Sequence, residues 1–422
     1  MNNLKELLNK YNTKGNRYNC YPPPSFRVNN FNQEKWFQEI NSNYLEQEGI
    51  NLYIHIPFCE SLCTFCGCNI TITKNHDLGI AYIESLIKEW STYLDKIRDI
   101  NIASIHLGGG TPSFLSPESL DHLLINITEK CTLHSNFQGT IEIDPRNISE
   151  EQIKVLTKHN FKNALLGIQD LEPNVLRNIS RPQSLQDIST CIKLLKQYGF
   201  NHIGAELIYG LPQQTVPSLE KSFTQIQQLD FDYIVLYPFA AVPWQKNNQN
   251  AFGDFSLPST ELKNLLHLTL IEMLTKNEFT NIGMGYYISK NSHFHNDKLN
   301  RNITGFNISE SEILIGLGVS AISVCKTAIK QNSKFLEKYN FNINAEQYSC
   351  EASHLKTKQE QLLQETFNFI ICNKTFPASD KLDELKKDGL INQDGDTCYV
   401  TGKGVNFIKN ICQAIDPLFA EI

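Results

Sequence analysis

Six apolar runs of strand length lie at 51–58, 102–108, 139–144, 163–169, 202–209 and 233–240. Segments with helical periodicity separate them, at 77–99, 117–130, 149–159, 184–198 and 216–229, and a further one covers 259–276. Strands that alternate with helices at this spacing build right-handed βαβ units around a parallel sheet. The runs are apolar throughout, the pattern of strands covered on both faces. Six such units form either a doubly wound sheet or an incomplete barrel, and periodicity alone does not choose between them. In both, reactive groups collect at the C-terminal ends of the strands. The sequence puts its polar and glycine-rich residues there. Cysteines follow the first run and GGGTP (108–112) follows the second. Glu142 and Asp144 end the third, and Gln169 and Asp170 the fourth. Glu206 lies on the fifth, and Phe239 and Ala240 end the sixth.

The first run leads into NLYIHIPFCESLCTFCGCN (51–69), with the spacing Cys59-x3-Cys63-x2-Cys66-x-Cys68. Thiolates at these intervals on a short loop can reach three corners of one iron–sulfur cube, each sulfur on its own iron. Zinc is the alternative metal, but zinc sites usually need two separated ligand pairs, and no matching Cys/His pair follows at that distance. Disulfides need an oxidising compartment. The opening MNNLKELLNKYN has no apolar signal core, so a cytoplasmic chain is expected. The other cysteines (Cys20, Cys131, Cys191, Cys325, Cys350, Cys372, Cys398, Cys412) are scattered and read as reduced thiols, several of them buried. No apolar run approaches the roughly 20 residues of a membrane span. A net charge of −7 with 20% charged residues argues against a general nucleic-acid or membrane-surface role. GGGTP carries no bulky side chains at its glycines, so its backbone can approach a ligand closely.

The CxxxCxxC spacing resembles the radical S-adenosylmethionine (SAM) enzymes. The flanking YIHIPFC, CGCN and GGGTP resemble the oxygen-independent coproporphyrinogen III oxidase (dehydrogenase) group, with similarity from Lys10 to about Asp416. The resemblance implies an α/β fold with a partial (β/α)6 barrel. It implies a [4Fe-4S] cluster on Cys59, Cys63 and Cys66, with SAM on the open iron, cleaved to methionine and a 5′-deoxyadenosyl radical. Cys68 follows the triad as it does in that group. Tyr53, Gly109, Glu142 and Ile322 would contact this SAM. Phe65, Gly110, Thr111, Gln169, Arg181, Glu206 and Ala240 would contact a second one. Tyr53 and Ile322 could instead be plain core, and Arg181 the partner of a surface acid. The implied reaction is oxidative decarboxylation of two coproporphyrinogen III propionates to vinyl groups, in anaerobic heme biosynthesis. Arg17, Arg27 and Arg301 are candidate propionate partners, since a guanidinium can hold a carboxylate through two donors. The expected partners are a tetrapyrrole and an electron donor such as flavodoxin or ferredoxin, with no nucleic acid and no membrane, on a monomer. Two further readings stand beside this one: a paralog acting on another tetrapyrrole, such as heme broken down by methyl transfer, and a heme-binding chaperone without turnover.

The expected organisation is an N-terminal arm (1–50), the barrel (51–280), a closing and linking region of loose pattern (281–356) and a mainly α, winged-helix-like domain (357–422). The arm should be extended through 10–24 and docked, as a passive strap or over the site. Acids are mixed through the C-terminal helices, which favours packing or a lid over DNA binding. His55 reads as a core histidine or a hydrogen-bonding neighbour of the cluster, and His293 and His295 as loop residues. Three segments depart from the group. Glu206 replaces an aspartate, GMGYY (283–287) replaces GMDHF, and FAAVP (239–243) replaces YAHLP. Only Tyr286 offers a replacement for the lost acid and imidazole.

Overall fold

The computed structural model describes residues 2–13, 16–28, 30, 32–242, 248–249, 257–295 and 298–421. Twelve strands form its main sheet. In chain order they are β1 Ile50–Ile56, β2 Asn101–Gly109, β3 Thr132–Ile143, β4 Phe161–Gln169, β5 His202–Tyr209, β6 Tyr233–Pro238, β7 Thr280–Gly283, β8 Tyr286–Ile288, β9 Leu314–Leu317, β10 Ile322–Val324, β11 Ala328–Gln331 and β12 Ala352–Leu355. The spatial order is β12-β11-β10-β9-β1-β2-β3-β4-β5-β6-β8-β7. From β9 to β6 every pairing is parallel, and the flanking pairings are antiparallel. The six expected strands are the middle of this array, and its two edges do not meet, so the barrel is partial. The region 281–356 is not loose. Together with residue 280 it supplies six of the twelve strands, on both sides of the parallel core.

The helices are α1 Asn2–Lys10, α2 Gln33–Asn43, α3 Asp77–Lys96, α4 Pro117–Thr128, α5 Glu150–Lys158, α6 Pro173–Asn178, α7 Leu185–Gln197, α8 Val216–Ile226, α9 Thr260–Lys276, α10 Leu336–Asn344, α11 Lys358–Asn368, α12 Asp383–Lys387 and α13 Ile408–Ile415. Their starts are encoded locally. Ser116, Ser149, Ser184, Thr215 and Ser259 each accept a backbone N–H from the first turn they precede, satisfying donors that would otherwise be left open. The outward side chains of the sheet (Leu52, Ile54, Ile56, Leu107, Ile141, Leu166, Ile203) pack with these helices in one apolar core. The inner face is more polar than an apolar run suggests. Ser104 Oγ donates to Asn51 Oδ1 at 2.6 Å, and Asn163 Nδ2 to Gln138 Oε1 at 2.9 Å.

The arm is partly helical, with α1 and α2 on either side of the non-helical stretch after Lys10. Leu7, Leu8, Tyr18 and Tyr21 join Phe367, Ile370, Phe407 and Ile411 of the C-terminal part, and Tyr233 and Tyr286 of the sheet, in a second core. In the C-terminal part, α11, α12 and α13 surround a small antiparallel sheet of Thr375–Pro377, Thr397–Val400 and Ile391–Asp394. No helix among the described residues is long and apolar enough to cross a membrane.

Candidate functional site

Strand β1 ends at Ile56, and the cysteine loop leaves it directly. The short strand Phe58–Cys59 pairs in parallel with Thr71–Ile72, which fastens both ends of the loop to each other. The loop is also pinned from outside. Thr64 N donates to Ile179 O at 3.1 Å, and Asn248 Nδ2 to Cys66 O at 3.0 Å. Gln249 Nε2 reaches Phe65 O at 3.2 Å and Ala240 O at 3.3 Å. Cys59, Cys63, Cys66 and Cys68 line one cavity with Phe65, Gly109, Gly110, Thr111, Glu142, Gln169, Arg181 and Glu206. Three of the expected residues do not line it. Tyr53 lies one layer below, its hydroxyl donating to His55 Nδ1 at 2.9 Å. Ala240 is exposed past the end of β6. Ile322 opens β10, two strands from β1, and is half-buried. Pro243 of FAAVP lies outside the described residues.

The sulfurs meet hydrogen-bond donors. Cys59 Sγ lies 3.3 Å from Thr111 Oγ1, Arg181 Nη1 donates to Cys63 Sγ at 3.5 Å, and the Cys68 N–H to Cys66 Sγ at 3.4 Å. Burial pushes the Cys59 thiol up to about 11, and the neighbouring Cys66 and Cys63 push the same way. Three thiolates here therefore need a cation to be stable together. Among the described residues no three His, Cys, Asp or Glu side chains converge as ligands of a single ion. An iron–sulfur cube spreads its ligands over separate irons, so sulfurs that share a cavity without sharing a point fit it.

Opposite the cysteines stands a pair of carboxyls. Burial works to raise Glu142, but hydrogen bonds hold it below the usual carboxylate range. His106 Nε2–H donates to its Oε1 at 2.9 Å, and the Gly109 N–H to its Oε2 at 3.1 Å. Burial and then the Glu142 charge push Glu206 up to about 7. One carboxyl is thus ionised and the other is poised near neutrality. Gly109 is needed for this geometry. Its φ is +114°, and a Cβ there would lie 2.5 Å from His55 Nδ1. His55 Nε2 must donate to the Asn69 carbonyl at 2.8 Å, so its Nδ1 accepts from Tyr53. That satisfies the ring and matches the core-histidine reading.

Two polar atoms in the cavity wall are buried without a partner: Gln169 Oε1, which needs a donor, and Arg181 Nε, which needs an acceptor. Gln169 also holds a left-handed φ of 68°, unusual for a non-glycine residue and frequent at ligand clamps. Arg181 Nη1 faces Asp144 Oδ2 at 3.4 Å, while Arg146 takes both oxygens of Asp144. Ionised Glu142, orphaned Gln169 Oε1 and Arg181 Nε suit a ligand with amino, hydroxyl and carboxylate groups, such as SAM. His106, Asn248 and Gln249 escaped sequence reasoning. His106 had a signal, since it pairs in register with Tyr53 across β1 and β2 and is a polar residue inside an apolar run. Of the candidate arginines, Arg27 places its Nε on Pro22 O and its Nη2 on Cys20 Sγ, and its Nη1 is buried without a hydrogen-bond partner.

A model of the radical SAM superfamily matches residues 53–226. The oxygen-independent coproporphyrinogen III oxidase of Escherichia coli (strain K12) is 28% identical, over 98% of this chain and 95% of its own length. The enzyme of the same name from Synechocystis sp. is 29% identical, over 97% and 94%. The solved structure of the coproporphyrinogen III oxidase from Escherichia coli, a radical SAM enzyme, superposes with a TM-score of 0.91 at 27% identity, covering 98% of both chains.

Proposed function

We propose that this chain, which superposes over nearly its whole length on a coproporphyrinogen III oxidase that is a radical SAM enzyme, is itself a radical SAM enzyme that converts two propionates of coproporphyrinogen III into the vinyl groups of protoporphyrinogen IX, in the cytoplasm. A [4Fe-4S] cluster and SAM are its cofactors. When bound they supply a 5′-deoxyadenosyl radical, made with one electron from an external donor.

The observation that carries the reading is the shared cavity: three thiols, an ionised Glu142 under the glycine turn, and the unpartnered Gln169 and Arg181 atoms. Cys59, Cys63 and Cys66 would hold three irons. Thr111, Arg181 and the Cys68 N–H donate toward their sulfurs and so stabilise thiolate charge. Glu142 accepts from a SAM amino or hydroxyl group. Arg181, Gln169 and Glu206 face the rest of the cavity, where a second SAM would sit. The protein's own contribution is orientation and the exclusion of water. A hydrogen atom leaves the propionate carbon β to the carboxylate. The carboxylate then departs as CO2, and one electron passes to an acceptor, leaving a vinyl group.

The test is anaerobic reconstitution with iron, sulfide, SAM, a reductant and coproporphyrinogen III, read by mass. Loss of two CO2, abolished by Cys63→Ala together with the cluster's iron, is the expected result. Tyr286, in the GMGYY segment that departs from the pattern the resemblance implies, favours one second reading, a different tetrapyrrole substrate. 5′-Deoxyadenosine without decarboxylated product would select it. Heme binding with no 5′-deoxyadenosine would sink both readings in favour of a chaperone.

A further inference from the structure

Arg301 lies on the short strand Asn300–Asn302, which pairs antiparallel with Gly305–Asn307. Its Nη1 donates to the arm carbonyl of Arg17 at 3.1 Å. Its Nε is sealed from solvent and has no hydrogen-bond partner. Tyr286, Cys372, Tyr237 and Cys412 are the titratable groups that act on it most strongly, and the cavity it lines also holds Glu312 and Glu365. The guanidinium carbon sits 5.9 Å from the centre of the Phe306 ring. Lys374 Nζ, from the C-terminal part, sits 6.0 Å from the centre of the same ring. Its ammonium donates to the Ile371 carbonyl, and burial lowers it to about 8. Two cations thus share one aromatic ring, and among the described residues neither forms an ion pair, an arrangement that costs stability unless a ligand completes it.

The shell is connected to the cysteine cavity. Tyr286 pairs with Val235 across β8 and β6, Val235 pairs with Glu206 of that cavity, and the Tyr286 side chain hydrogen-bonds Tyr237 and feels the Arg301 charge. Its hydroxyl points at the hairpin, where Gly305 (φ +118°) leaves room. A Cβ there would lie 2.1 Å from the oxygen.

We propose that Arg301, with Tyr286 beside it and Lys374 adding a second positive charge, is the subsite that binds a propionate carboxylate of the tetrapyrrole. This assignment rests on the tetrapyrrole reading above. The Arg301 Nε is the free donor that a carboxylate oxygen would take, and the Tyr286 hydroxyl is a second donor at the same place. In this chain the pair occupies the region where GMGYY departs from GMDHF. A hydroxyl and a guanidinium therefore select an anionic side chain there.

The full-length protein is titrated with coproporphyrin III and with its tetramethyl ester, following porphyrin fluorescence. Arg301→Gln and Arg301→Lys are titrated in parallel, and all three ligand-free proteins are melted. Coproporphyrin III should bind the wild type about tenfold more tightly than it binds Arg301→Gln, the loss expected for a charge-assisted hydrogen bond. Arg301→Lys should recover part of the affinity, and the ester should be indifferent to the substitution. The ligand-free Arg301→Gln protein should melt at or above the wild-type temperature, because an uncompensated charge has gone. If Arg301→Gln binds the acid as the wild type does, or loses acid, ester and melting temperature together, the subsite is overturned and the tetrapyrrole reading stands. If the wild type binds no porphyrin acid, the tetrapyrrole reading falls and takes the subsite with it.

Discussion

Glu142 and Glu206 show how two identical groups acquire opposite states. Both lie in the cavity wall. Glu142 accepts from His106 and Gly109, which outweigh its burial and keep it ionised. Glu206 sits behind that charge, and burial plus repulsion move it to about 7. The sign of the pH effect follows. An unfolded glutamate titrates at about 4.3, so between about 4.3 and 7 the native chain keeps a proton on Glu206 that the unfolded chain has lost. Stability then falls as pH rises through that window and levels off above it. Glu142, depressed, acts below the window, where acid removes its contribution. In the cluster-free protein, Glu206→Gln should remove the decline and leave the variant steadier than the wild type at pH 8 by roughly 1–3 kcal/mol. Melting curves at pH 5 and pH 8 check this. Parallel pH profiles for the two proteins would refute the assignment.

The glycine turn after β2 is where a backbone element serves the site. At Gly109 an added methyl would meet His55 and force a left-handed φ on alanine, a strain of about 1–3 kcal/mol. His55 in turn fixes Tyr53 and the Asn69 carbonyl. Gly109→Ala should therefore keep its iron, since the thiols come from another loop, yet bind SAM at least about tenfold more weakly. The change that SAM causes in the reduced cluster's electron paramagnetic resonance spectrum measures this. An unchanged SAM affinity would count against the role given to this turn. The same element shows what a sequence reveals. Strands β1 to β6 were legible because their outward residues pack under helices and carry the apolar run. The strands of 280–355 were not, because each has only three or four residues, too few to set a periodicity, and most pair antiparallel with one another rather than through helical crossovers. The cysteine spacing and GGGTP were legible because their chemistry is local in sequence. The pinning of the loop by Asn248 and Gln249 was not, since it depends on residues some 180 positions away.

At the scale of the whole molecule the two ends of the chain close over the inner face of the sheet through Asp416. The hydroxyls of Tyr18 and Tyr21 both donate to this buried carboxylate, at 2.9 and 2.8 Å. The exposed ion pair of Lys10 with Asp388, nearby on the same seam, is worth much less in water. Asp416→Ala leaves two buried hydroxyls without their acceptor and should cost about 2–4 kcal/mol. Local opening of the arm is the cheapest way for the protein to absorb that cost, because it returns both tyrosines to solvent. Limited proteolysis should then cut within 11–24 in Asp416→Ala while the wild type resists. The arm also carries the Arg17 carbonyl that steadies Arg301. Its release should consequently lower conversion of the tetrapyrrole while cluster content and background cleavage of SAM hold. Asp388→Asn, which removes the charge paired with Lys10 and keeps an oxygen for the Tyr11 hydroxyl, should leave proteolysis and conversion near wild type. If Asp416→Ala instead loses its cluster, the seam is part of the barrel's own stability. If both variants behave alike, surface charge holds the arm and the buried tyrosines do not.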